Sequence, residues 1–181
     1  MEVVEVLKED FIRQARYVPR AIILFAILIP AYLFVAENDK NQIKEKIKDI
    51  LKNYKVLLFL FWLAFLMMST IFTRLTEVPY RVVLDGFGFK TSKGWNTDSL
   101  ENILLFIPYT FHYLWAFPPK KPLKVALKLS LLSTVSIELL QLVFWLGFFQ
   151  FSDIIHNTEG GILGCGLWYL VRWIQSRYPK N

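Results

Sequence analysis

The side chains able to do chemistry in this chain gather between Ser136 and Gly164, in the run SIELLQLVFWLGFFQFSDIIHNTEGGILG. Glu138 and Gln141 stand three residues apart, so on a helix they share a face, and Thr134 continues that row one turn earlier. Asp153 and Asn157, four apart, share a face of a second helix. Carboxylates and amides in this arrangement suit hydrogen-bonded recognition of a polar group, and Glu138 and Asp153 are the candidates for giving or taking a proton. A structural reading competes with this. The same groups tie the two helices together through interhelical hydrogen bonds worth about 1 kcal/mol each, and Asp153 is then simply an N-cap. Under either reading they need a justification, because ionisable groups facing lipid are costly.

Other patterns in the same stretch carry less. Asp153, His156 and Glu159 follow at i, i+3, i+6, but the chain holds only two histidines and a tight site takes three or four converging ligands. The spacing therefore predicts no metal centre, and His156 reads as a polar residue at headgroup level. GGILGCG, residues 160–166, looks like a nucleotide loop only superficially, since no strand precedes it and it lies within an apolar run. Gly160, Gly161 and Gly164 read instead as a face for close helix packing. Cys165 is the single cysteine, which rules out an intramolecular disulfide and a cysteine metal cluster. No cofactor is expected.

The elements that must position these groups are apolar helices. Hydrophobic residues make up 55% of the 181 positions, and mean hydropathy is +0.38, a membrane-protein composition. Residues 1–19 predict a short amphipathic helix, with Val3, Val4, Leu7, Phe11 and Ile12 at helical spacing. Apolar runs follow at 21–36, 56–72, 100–117, 123–149 and 154–173, predicting five spans and an all-α polytopic bundle: a four-helix core plus an extra N-terminal helix. Pro30 and Pro108 fall inside spans, where membrane helices tolerate them. Residues 1–55 form one part, closed by a lysine-rich connector at 37–55 with a helical stripe of Ile43, Ile47, Ile50 and Leu51. Residues 56–175 form the membrane domain. The polar connection 73–99 suggests turns and a small hairpin, and Asp98 with Glu101 suggests a cap for the third span.

Charge sets the expected orientation. Placing the connector, residues 118–128 and the C-terminal segment on one side gives it thirteen basic residues, against eight on the other. The positive-inside rule puts that richer side in the cytoplasm. Asn102, Glu138, Gln141, Asp153 and Asn157 then all fall in the outward half, contributed by three helices. The net charge of +6 sits in short loops between apolar runs, which points to anionic lipid headgroups rather than nucleic acid.

NILLFIPY from Asn102, SIELLQL from Ser136 and SDIIHNTEGGILG from Ser152 resemble the VanZ-like family of bacterial integral membrane proteins. The resemblance covers about residues 60–173 in the family's order. It matches an amide and a proline (Asn102, Pro108), a Glu-x-x-Gln (Glu138, Gln141) and an Asp-x-x-x-Asn-x-x-Gly-Gly (Asp153, Asn157, Gly160, Gly161). Many members carry an arginine before the acidic turn and two aspartates within it; here WLGFFQFSD has neither the arginine nor the second aspartate. The first apolar run and the lysine connector lie outside the resemblance. It implies a multi-pass protein of the bacterial plasma membrane, of a family named for teicoplanin resistance. The expected partners are the bilayer and an amphiphilic or lipid-linked ligand. A membrane enzyme acting on such a ligand, or a structural and partner-binding protein, are the alternatives.

Overall fold

The computed structural model describes residues 8, 12, 15–36, 53–72, 82–83, 90–91, 94–95 and 97–178. Among the described residues there are five α-helices: α1 (Val18–Ala36), α2 (Tyr54–Met67), α3 (Thr97–Ala116), α4 (Pro122–Val143) and α5 (Phe151–Arg177). A π-helical turn, Met68–Phe72, continues α2. Two small strand pairs complete the set. β1 (Val82–Val83) runs parallel to β4 (Phe149–Gln150), and β2 (Lys90–Thr91) runs antiparallel to β3 (Gly94–Trp95). The second pair is the hairpin expected between the second and third helices. The expected N-terminal amphipathic helix and the lysine connector fall largely outside the described residues.

Contacts along the helices show that their directions alternate. Phe25 meets Phe61, while Ala21 near the start of α1 joins Phe65 and Leu66 towards the end of α2. At the start of α2, Tyr54 stacks edge-on against Trp115 at the end of α3, with Lys55 over the same ring. Further along, Trp62 stacks on His112. Thr110 reaches Ser130, and Thr134 reaches Asn157. Helix α3 is central: it packs on α2 and, most extensively, on α5.

Gly160 and Gly164 explain the closeness of that pair. A Cβ on Gly160 would overlap the Ile103 carbonyl oxygen and stand 2.9 Å from the Phe106 Cβ; one on Gly164 would overlap the Ile107 carbonyl oxygen. Gly161 turns towards α4, where a Cβ would collide with the Ser130 hydroxyl.

Among the described residues, two helices are long and apolar enough to cross a membrane: Tyr54–Ile71, with mean hydropathy 1.9, and Pro122–Val143, with 1.5. At 1.5 Å per residue, the 22 residues of α4 reach about 33 Å, the thickness of a bilayer core. The distribution of polarity on α4 and α5 is inverted relative to a water-soluble protein. Their exposed faces carry Leu132, Leu139, Val143, Leu163, Leu170 and Trp173, while their buried faces carry Ser130, Thr134, Glu138, Gln141, Asp153 and Asn157. Water as the solvent would favour the opposite arrangement.

Three expectations are corrected. The fourth helix ends at Val143 rather than continuing to Phe149. Trp145 adopts a left-handed conformation (φ 57°), and the Leu146 N–H donates to the Gln141 carbonyl at 2.8 Å, the six-to-one bond of a Schellman end. Asp153 is not an N-cap: Gln150 holds that position, and Asp153 lies in the first turn. Helix α5 starts earlier because strand β4 runs straight into it. Asp98 is likewise inside the first turn of α3, which begins at Thr97.

Candidate functional site

The inward faces of α4 and α5 meet at one end of the bundle in a layer of buried polar side chains. Glu138, Gln141, Asp153, His156 and Asn157 are each at most 7% exposed, and Thr134 is fully buried. The i, i+4, i+7 row Thr134–Glu138–Gln141 points at α5 and the π turn. On α5 the residues 153, 156, 157, 160, 161 and 164 form one stripe, polar in its first turns and glycine beyond. The glycines let α5 approach α3 and α4 closely, and this proximity buries the polar turns above them.

Each group in the layer is held by a different element. The Asn157 side-chain amide donates to the Thr134 hydroxyl at 2.8 Å, joining α5 to α4. The Gln141 amide donates to the Thr70 carbonyl at 2.7 Å, joining α4 to the π turn, where the Thr70 hydroxyl itself donates back to Leu66. Glu138 accepts the backbone N–H of Gln150 at 2.7 Å. A carboxylate is thus spent on fastening β4, and through β4 the paired strand β1. Asp153 lies three residues beyond Gln150, in the first turn of α5, where the helix dipole favours negative charge. The Ser152 hydroxyl approaches its carboxylate at 3.4 Å. His156, 2% exposed, contacts the Glu159 carboxylate through Nδ1 at 3.0 Å.

Four of the five expected binding residues, Glu138, Gln141, Asp153 and Asn157, therefore lie buried at one end of the bundle. Asn102 is the outlier. It is half-buried on α3, beside the Ile103 that abuts Gly160, and among the described residues no hydrogen bond joins its side chain to the other four. Two further occupants were not expected. Thr70 enters through its backbone carbonyl, which side-chain chemistry does not announce. His156 was expected at headgroup level and is instead buried in the stripe; its position, three after Asp153 and four before Gly160, carried the signal.

Two acceptors in the layer stand out. The Gln141 Oε1 and the Asn157 Oδ1 are buried without a hydrogen-bond partner among the described residues. Leaving a buried acceptor unmade costs about 1–3 kcal/mol. The layer thus suits a group bearing hydroxyl, amine or amide donors. The described residues contain no cluster of three or more metal-ligating side chains.

A sequence profile of the VanZ/LLP1 family matches residues 21–172. The match takes in the first apolar helix and the lysine connector, which lie outside the stretch that the sequence motifs span. The chain has no match among curated proteins or among solved structures.

Proposed function

The chain belongs to the VanZ/LLP1 family, and from that premise we propose that it is a five-span protein of a bacterial plasma membrane that alters sensitivity to envelope-directed antibiotics. It does so by contacting an amphiphile or envelope component through the polar layer. Glu138 and Asp153 are its polar anchors, and Asn102, Gln141 and Asn157 orient the bound group. Family membership, the two apolar helices and the inverted polarity of α4 and α5 support the membrane setting. The excess of basic residues on the connector side supports a cytoplasmic C-terminus and an outward-facing layer.

The observation that carries the reading is the pair of buried amide oxygens, on Gln141 and Asn157, inside a layer built by two helices and closed by the π turn and β4. A layer that served only to join helices would pair its acceptors internally. The test is a clean deletion strain, complemented from a single copy by the wild-type chain, Glu138→Gln or Asn157→Ala. Inhibitory concentrations of teicoplanin and other envelope-directed antibiotics are measured for each. The deletion shifts sensitivity to at least one agent, and the two variants fail to restore it at wild-type membrane abundance. A deletion strain that matches wild type across the panel refutes the reading.

One observation favours a second reading, in which the layer is a structural and partner-binding device. Asn157, Gln141 and Glu138 each form a hydrogen bond to a different element of the fold. In that case Glu138→Gln restores sensitivity fully, because the glutamine oxygen still accepts from Gln150.

A further inference from the structure

The turn that joins α4 to α5 is built of large apolar side chains left open. From Leu139 to Ser152 the sequence has no charged residue. Val143, Phe144 and Trp145 are 66, 64 and 58% exposed, and Phe151, whose ring meets Phe149 edge-on, is 43% exposed. Val82 of β1, opposite Phe149 in the strand pair, is 47% exposed. Turns that face water draw on glycine, proline, asparagine, aspartate and serine instead. A contiguous exposed apolar surface marks a contact.

Trp145 is also costly where it stands. Its φ of 57° lies in the left-handed region, where a bulky residue is an outlier, and among the described residues no other non-glycine residue has a positive φ. The turn is fixed on both sides. The Phe144 N–H donates to the Leu140 carbonyl at 3.0 Å and the Leu146 N–H to the Gln141 carbonyl at 2.8 Å, while Glu138 holds Gln150 beyond. Glycine would make this turn without strain. Strain retained under a surface side chain points to a use for that side chain.

The opposite end of the bundle is built differently. There Lys55, Arg172 and Arg177 lie over the rings of Trp115, Trp168 and Trp173 at 5.4, 5.8 and 5.2 Å, and Lys120 and Lys121 are exposed. That end offers cations to phosphates. The α4–α5 turn offers none, and the exposed apolar face of α4 runs through Leu132, Leu139 and Val143 straight into it.

We propose that Phe144, Trp145 and Phe151 form an aromatic wedge that stands among the glycerol and upper acyl groups of the phospholipid leaflet nearer the polar layer. The proposal rests on the membrane setting argued above and adds a lipid contact to it. An indole suits that depth, because its ring is apolar and its N–H can donate to an ester carbonyl.

The test uses the full-length chain in phosphatidylcholine nanodiscs. Cys165 is the single cysteine and is buried, so Cys165→Ser supplies a background for nitroxide labels at Phe144→Cys, Leu132→Cys and Lys120→Cys. Power saturation reads each label's access to oxygen and to a water-soluble nickel chelate. The oxygen-to-nickel ratio at position 144 stands several-fold above that at 120, as it does at 132. A ratio at 144 equal to that at 120 places the turn in water and overturns the proposal. A label at 144 screened from both reagents reveals a protein cover and overturns it too. Nickel access at 132 as well would remove the membrane setting itself, so the two failures are distinguishable. Trp145→Phe, which keeps a ring, gives a second reading without a label. The emission it removes from the wild-type spectrum is quenched by phosphatidylcholine brominated high on its acyl chains and little by acrylamide; the reverse order overturns the proposal.

Discussion

Replacing Gly164 with alanine tests the helix packing that supports the whole polar layer. An added Cβ would overlap the Ile107 carbonyl oxygen and lie 3.2 Å from the Phe111 backbone nitrogen, where ordinary contact begins at 3.4 Å. Both obstacles are backbone atoms, so neither can be relieved by a rotamer change. Helix α3 must retreat by about 1 Å, and over-packing of that kind costs about 1–3 kcal/mol. Gly166, two residues on in the same helix, provides the internal control, because a Cβ there meets nothing within 4 Å. Exchanging glycine for alanine inside a helix contributes up to about 1 kcal/mol of intrinsic stabilisation, a gain common to both variants. The difference between Gly164→Ala and Gly166→Ala therefore isolates the clash, and it amounts to about 1–3 kcal/mol, a factor of roughly five to 150 in the unfolding equilibrium. Reversible unfolding in mixed micelles, followed by tryptophan fluorescence, reads it. Equal stability of the two variants, within about 0.5 kcal/mol, refutes the close α3–α5 contact.

Two further perturbations address the layer itself. Glu138→Ala strips the acceptor from the Gln150 N–H and costs about 1–3 kcal/mol, whereas Glu138→Gln keeps an oxygen in place; amide hydrogen exchange at Gln150 quickens in the first and stays near wild type in the second. Asn157→Ala and Thr134→Val form a double-mutant cycle across α4 and α5, with an expected coupling of about 0.5–1.5 kcal/mol measured by the same unfolding assay, and zero coupling counts against the 2.8 Å bond.

Much of this arrangement is legible in side-chain spacing. Thr134, Glu138 and Gln141 share a face because the helical repeat makes them, and the glycines at 160 and 164 lie against α3 for the same reason. Helix limits are less legible. VFWLGFF, residues 143–149, has no polar side chain, so hydropathy runs across an end that Trp145 makes in a conformation glycine usually supplies. The β1–β4 pair joins two residues to two others more than sixty positions away, with no turn between them to betray it. That pair, rather than any local signal, explains why α5 starts before Asp153. The π turn is hidden as well, since MSTIF has nothing to distinguish it from an α-helix until Gln141 takes the Thr70 carbonyl. Asn102 is legible only in part: a motif groups it with the other four, and on α3 it is half-buried while they are buried.

The packing of α5 also dictates an order of events during synthesis. Helix α5 is made after α1–α4, yet it forms the largest contact with α3 and covers the Thr134 and Glu138 side of α4. Until it arrives, α3 has no partner for the surface at Ile103 and Ile107, and α4 presents a hydroxyl, a carboxylate and an amide to whatever surrounds it. In a hydrocarbon setting such a helix is poorly retained alone. The turn between α4 and α5, fastened by Glu138 to Gln150, is what holds that polar face against its partner helix.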